Sequence, residues 1–278
     1  SNQLDFFDNG VPYWYYISGN GVVKEQIPSR EKLEQELNEF IEEQLLFCDF
    51  STFVERGYEI NISTEISVET SISKKVIEVS VTQPIVIKLE NTTWTKESHS
   101  VEVNSFLGEL YETSKNIYEN FKQSLFIEEY VVDILRLYAP VDGTDVSCNP
   151  LVWKLSDVRE NVTQGLEANI PFIKIKGNYY DESVVDRYYI HDIGKPLDVS
   201  VNFLYLRDWP FLLDVSPHDG ELLTAEPIGL QEGFGILGFC YIPYHYVYDL
   251  AFPILIQLDK ENQFFQFPVI VFINKNVP

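Results

Sequence analysis

Between Gly57 and Val103 apolar residues return at every second position. The runs are Tyr58, Ile60 and Ile62; Ile66, Val68 and Ile72; Ile77, Val79 and Val81; then, after Pro84, Ile85, Ile87 and Leu89, with Val101 and Val103 closing the series. A period of two puts these side chains on one face of a pleated strand. The pattern predicts four or five strands in meander order, with turns near Ser63, Ser73–Lys75 and Asn91.

On either side the period lengthens to that of a helix. Ser29 is a candidate N-cap, and Leu33, Leu37, Phe40, Ile41, Leu45 and Cys48 fall on one helical face, with Glu31, Glu34, Glu42 and Glu43 largely off it. After the strands, Phe106, Leu110, Ile117 and Phe121 mark one helix, and Ile127, Val131, Ile134, Leu135 and Tyr138 a second, stopped by Ala139-Pro140. Ahead of everything, Pro12-Tyr13-Trp14-Tyr15-Tyr16 lies between two glycine turns and reads as a short strand or hairpin.

Val141–Pro150 is loop-like, carrying Asp142-Gly143 and Asn149-Pro150, and marks the expected interior boundary. Beyond it helix and strands follow in the same order. Ser156 is expected to cap a helix running to Asn169, with strands at Phe172–Lys176, Tyr188–His191, Val199–Leu206, Ile236–Tyr241, Tyr244–Tyr248, Pro253–Leu258 and Phe264–Ile273. Phe267–Ile273 is apolar on both faces and is expected to be central and buried. No fixed-period repeat is visible. The fold class is therefore α+β, mostly antiparallel, with a subdomain at 1–140 (helix, meander, helical pair) and a β-rich one at 141–278.

Charge narrows the function. Of 278 residues, 43 are Asp or Glu and 20 are Lys or Arg, a formal net charge of -23. Such a chain has no cationic footprint for nucleic acid, nor a polybasic patch for an anionic membrane. The acidity reads as a solvated face, since no Asp-x-Asp-x-Asp-Gly calcium loop is present. The longest uncharged run, Gly233–Tyr248, holds three glycines, a proline and a histidine and reads as strands rather than a membrane span. The opening residues look like a cut end, so the lack of a leader there does not place the chain in the cytoplasm.

Catalytic signatures are missing. His99, His191, His218 and His245 show no metal-ligand rhythm; Pro217-His218-Asp219-Gly220 reads as a β-turn and His245 as a packed strand residue satisfied by backbone. There is no Gly-x-Ser-x-Gly elbow, and the glycines of 229–238 match no nucleotide-binding loop. No catalytic residue, cofactor or metal is expected. Paired carboxylates beside Trp14, Trp94, Trp153 or Trp209 are the one enzymatic alternative, directed at glycans. Three sequons, at Asn61, Asn91 and Asn161, lean toward an extracytoplasmic glycoprotein. Of Cys48, Cys148 and Cys240, two can form one bridge and one is left over; no Cys-x-x-Cys pair suggests zinc.

One resemblance spans nearly the whole chain. Val11-Pro12-Tyr13-Trp14-Tyr15-Tyr16 precedes the Pro-Ser-started acidic helix ending Leu46-Phe47-Cys48-Asp49-Phe50. Ser147-Cys148-Asn149-Pro150 with Trp153 follows, then Cys240, Tyr244-His245-Tyr246-Val247-Tyr248-Asp249, Phe252-Pro253-Ile254-Leu255-Ile256, and finally Phe265-Gln266-Phe267-Pro268-Val269 and Ile273-Asn274. This order resembles a family of uncharacterised membrane-anchored extracytoplasmic surface proteins from small-genome archaea of the DPANN group. The resemblance implies no activity. It implies that Cys148 pairs with Cys240 and that Cys48 pairs with a cysteine upstream of this sequence. It also implies a single membrane helix preceding the domain. The bridge would close a loop of about 90 residues and stabilise by on the order of 4 kcal/mol.

The expected function is a non-enzymatic structural, adhesive or cell-contact role at an archaeal cell surface. Expected partners are a surface protein or glycan, or other copies of the chain, with no nucleic acid and no membrane contact except through a segment absent from the sequence. The alternatives are the glycan hydrolase, and a filament or surface-layer subunit joined by strand addition, for which Gln3–Tyr16 would be the donor.

Overall fold

The computed structural model describes residues 2–233 and 235–277; Ser1 in the opening segment, Phe234 in the glycine-rich run and Pro278 lie outside them. The fold is α+β with mostly antiparallel sheets. In chain order come β1 (Gln3–Phe6), β2 (Asn9–Pro12), β3 (Tyr15–Ile17), β4 (Val23–Glu25), α1 (Arg30–Leu45), α2 (Ser51–Val54), β5 (Glu59–Ile62) and β6 (Ser67–Ile72). Then follow β7 (Val76–Leu89), β8 (Thr92–Asn104), α3 (Leu107–Ser124), α4 (Phe126–Tyr138), β9 (Asp142–Val146), β10 (Leu151–Lys154) and α5 (Leu155–Asn169). The chain continues through β11 (Ile173–Ile175), β12 (Tyr189–His191), β13 (Ser200–Leu204), β14 (Leu212–Ser216) and β15 (Leu222–Ala225). It ends with β16 (Tyr241–His245), β17 (Val247–Lys260) and β18 (Gln263–Ile273).

Two compact units interleave in sequence. A large unit holds Ser1–Gln26, Ser114–Asp259 and Gln266–Pro278; a small unit holds Ile27–Thr113 and Lys260–Phe265. The division expected at 140/141 is therefore corrected. The segment read there as loop is β9, which pairs with β16, and α4 packs directly on α5. At that helix contact Gly165 is required: a Cβ there would lie 2.7 Å from the Tyr138 ring and 3.1 Å from Ile134.

In the small unit, Ser29 caps α1 as expected, its Oγ accepting from the Lys32 N–H at 3.2 Å. The helix runs beside β6 and hydrogen-bonds it. Glu42 Oε1 accepts from the Val68 N–H at 3.0 Å, Glu34 Oε1 accepts from the Ile72 N–H at 2.8 Å, and Thr70 Oγ1 donates to the Glu34 carbonyl at 3.1 Å. No residue of α1 is fully buried, so the apolar face read from its sequence is only partly covered. The sheet is not a simple meander: β7 is central, β8 pairs along one side, and β5 and β6 both pair with the other. β7 passes straight through Pro84. The β6 ladder ends at Thr82, the β5 ladder begins at Ile85, and the β8 register shifts between the same two residues. Proline thus sits where no ladder asks for its missing N–H.

The large unit repeats that plan. β13 pairs with Leu255–Asp259 of β17, β14 pairs with Val247–Ala251, and Pro253 falls in the gap between them. β18 lies along the other side of β17; the two-residue turn that joins the strands, Glu261-Asn262, has positive φ at both residues (47° and 68°) and is counted with the small unit. The sheet continues to β3 and β4, which makes β18 central, as its apolar run predicts. Ile254, Leu255 and Ile256 are consecutive and at most 2% exposed, so β17 is covered on both faces. Tyr13, Trp14 and Tyr16 join this core, with Trp14 stacked on Phe267 at 4.2 Å.

Smaller differences have local causes. Ser156 lies inside α5, whose N-cap is Lys154, and its hydroxyl turns to Asp157. The strand expected at Ile236–Tyr241 is a 3-10 turn, Gly235–Cys240, followed by β16. β10, β14 and β15 are four or five residues long, too short to show a period of their own.

Candidate functional site

The β3–β4 hairpin, the end of α3, the start of α4 and β18 enclose a cavity of about 200 Å3 within the large unit. Leu125 makes it possible. With φ of 52° it closes the one-residue link between α3 and α4, accepting the Glu129 N–H at 3.0 Å while its own N–H donates to Phe121 at 2.9 Å. That turn brings Tyr118, Phe121 and Lys122 from α3 to the same space as Ile127 and Glu128 from α4. The hairpin contributes Tyr15, Val23 and Glu25, and Val269–Val271 of β18 form an apolar wall.

The polar groups are unevenly matched. Lys122 Nζ stands 2.6 Å from Glu25 Oε1, and this bond raises the lysine's affinity for its proton. Glu128 forms no ion pair among the described residues. Burial against apolar walls pushes its carboxyl up to about 7, with the Glu129 charge adding to the shift and a bond from its own N–H opposing it. The Tyr118 hydroxyl is buried, the residue being 2% exposed, and has no partner of normal hydrogen-bond geometry. Glu25 is close enough to take a weak share of it, and desolvation followed by that carboxylate pushes the phenol's ionisation up. Tyr15 is shifted the same way by desolvation, then Glu128 and Glu25, with Lys122 opposing. The lining thus holds two carboxyls against one ammonium, among three aromatic rings.

A second cavity, of about 320 Å3, lies in the small unit among Leu45, Cys48, Ile62, Gln83 and His99. Two of its polar side chains are already engaged: Gln83 donates to the Ser63 carbonyl at 3.0 Å, and His99 Nε2 is 3.3 Å from the Gln83 carbonyl.

Cys148 and Cys240 form a disulfide, with Cα atoms 4.2 Å apart. It extends the β9–β16 ladder, where the Ser147 N–H donates to the Cys240 carbonyl at 2.8 Å. Cys48 is free and exposed. Asn61 on β5, Asn91 in the β7–β8 turn and Asn161 on α5 are all exposed. Among the described residues no group of His, Cys, Asp and Glu is arranged to hold a metal. His191 stacks on Phe126 at 3.8 Å and its Nε2 is 2.6 Å from Asn120 Oδ1; burial lowers its pKa. His218 Nδ1 is 2.9 Å from the Gly220 carbonyl, in the expected turn. His245 is not packed: it is exposed, because β16 ends there, and faces the Asp142 and Asn276 side chains rather than backbone. Trp14 and Trp209 are buried and Trp153 packs against Tyr244 and Tyr246, leaving Trp94 as the exposed tryptophan.

The residues at the large unit's cavity that sequence reasoning missed are Glu25, Tyr118, Lys122 and Glu128. Lys122 and Glu128 stand near apolar stripes, but Glu25 and Glu128 are about 100 positions apart and no motif joins them. No protein-family model, curated protein or solved structure matches the chain.

Proposed function

We propose that this chain is the extracytoplasmic domain of a membrane-anchored archaeal surface protein and that it works by contact rather than by chemistry. The Cys148–Cys240 bridge supports an oxidising compartment, and the exposed sequons suit a glycoprotein. No helix among the described residues is long and apolar enough to cross a membrane, so an anchor would belong to another segment.

The contact role rests on the outer edge of β8. The strand has 13 residues, all exposed except His99, with Trp94, Val101 and Val103 each about half exposed. Glu34 and Glu42 close the β6 edge, whereas among the described residues no other side chain hydrogen-bonds the β8 backbone. A long open edge is a template for another strand. Its sequence is self-complementary: in an antiparallel pair with His99 opposite His99, Lys96 faces Glu102 twice and Thr95 faces Val103. That is the symmetry of a two-fold dimer, so the partner is a second copy of the chain. The strand-donor version loses its donor, since Gln3–Phe6 pairs with Asn9–Pro12 and Tyr15 with Val269 and Glu25 of the same chain.

Sedimentation equilibrium tests this. The oxidised protein should dimerise reversibly, Lys96→Glu should weaken the dimer at least tenfold, and the swap Lys96→Glu with Glu102→Lys should restore it. A monomer at all concentrations, or a dimer indifferent to both variants, overturns the proposal.

A further inference from the structure

We propose that the large unit's cavity is a binding site for a small organic ammonium ion, an amine carrying a short apolar body. This inference stands apart from the contact role, because every residue it uses lies in the large unit and β8 does not. Three observations carry it. The lining is one positive charge short: Lys122 is held by Glu25, and Glu128 has no cationic partner among the described residues. The rings of Tyr15, Tyr118 and Phe121 border the same space, and aromatic faces attract an ammonium by their quadrupole. The buried Tyr118 oxygen has lone pairs that no donor uses well, and an ammonium N–H would supply one.

Size and wall chemistry set the rest. A volume of about 200 Å3, at roughly 30 Å3 per water-sized group, holds about six or seven heavy atoms. The Val269–Val271 wall and Ile127 would take an alkyl or small aryl body, whose burial adds to affinity. Anions meet two carboxyls, and a neutral alcohol leaves Glu128 unmatched. Charge on Glu128 is costly without a ligand, so an arriving cation should expel its proton. The groups facing Glu128 are Tyr15 from β3, Glu25 from β4, and Tyr118 and Lys122 from α3, with Glu129 on its own helix. Burial holds the Glu128 carboxyl itself at about 7.

Calorimetric titration with n-butylammonium, n-butanol and butyrate is the test, run on the intact oxidised protein. At pH 8 the ammonium should bind and the other two should not. At pH 5.5, where the amine stays protonated but a group titrating at about 7 does not stay ionised, affinity should fall roughly thirtyfold. Glu128→Gln should abolish both the binding and its pH dependence. Val23→Trp, on the half-exposed strand at the cavity's border, should block entry with an unchanged circular dichroism spectrum. Equal binding of butanol, binding unaltered in Glu128→Gln, or no heat from butylammonium at pH 8 overturns the inference.

Discussion

β7 and β17 are the same strand built twice with opposite fates. Each has 14 residues, pairs with two short strands on one side, places a proline where those partners leave a gap, and continues through a Glu-Asn turn into a long hairpin partner. The partners even come in the same order, the earlier one on the C-terminal half and the later one on the N-terminal half. What differs is the second face. Ahead of Pro84, β7 turns Glu78, Ser80 and Thr82 away from its apolar side, each of them exposed, whereas β17 carries Ile254, Leu255 and Ile256 in succession. One strand plan thus yields a half-covered sheet in the small unit and a doubly buried one in the large unit. Backbone pairing lays out the strands; the alternate side chains decide how much core each one gains.

The contrast is broken most forcefully through the disulfide, which only the large unit has. Cys148→Ser with Cys240→Ser should cost the large unit on the order of 4 kcal/mol, from the 92 residues the bridge spans. Tryptophan separates the units: Trp94 alone reports the small unit, and Trp14, Trp153 and Trp209 report the large one. In urea, a Trp94→Phe protein should follow the loss, and a protein retaining only Trp94 should show an unmoved midpoint. Equal shifts in both reporters would mean the two sheets unfold as one cooperative body and the contrast is only geometric.

Much of this duality was legible in the residues, and the part that was not has physical reasons. Alternation marked β7 and β8, the doubly apolar run marked β18, and Ser29 marked the start of α1. The repeat went unseen because β9 to β16 include short elements and an insertion between β14 and β17, so no period survives in sequence. Pro84 and Pro253 suggest strand ends to a reader of the chain, and only the gaps between partner strands show why they are tolerated. The cavity was invisible for another reason. Its charge balance depends on Glu25 pairing with Lys122 and on one left-handed residue, Leu125, neither of which leaves a pattern.

Acidity gives the next largest effect, through Glu128 of the large unit. Glu128 binds its proton more tightly when folded, at about 7 against an ordinary 4.5, so between those values the folded state holds more protons than the unfolded one. Stability from this group is therefore full below about 4.5 and declines as pH rises from there through about 7, by about 3 kcal/mol. Glu128→Gln should flatten that decline in the large unit's transition and be more stable than the parent at pH 8. A parent transition that strengthens from pH 5 to 8 once other carboxylates are accounted for, with the variant parallel to it, would remove Glu128 from the argument.

The smallest effect sharpens the comparison from the other side. Glu34 receives the Ile72 N–H at 2.8 Å and so closes part of the edge that β17's counterpart would otherwise leave open on β6. Glu34→Ala removes an ionised acceptor from a partly buried amide, a loss of about 1 kcal/mol confined to the small unit and read by Trp94. Glu34→Gln keeps an acceptor oxygen at the same reach and should recover most of that. Amide exchange should report the same event at one position: the Ile72 amide should lose protection in the alanine variant while those of Leu255 and Ile256 in β17 stay slow. If Ile72 remains protected without Glu34, the strand edge is held by something other than the helix, and the small unit's sheet is less exposed in solution than its side chains indicate.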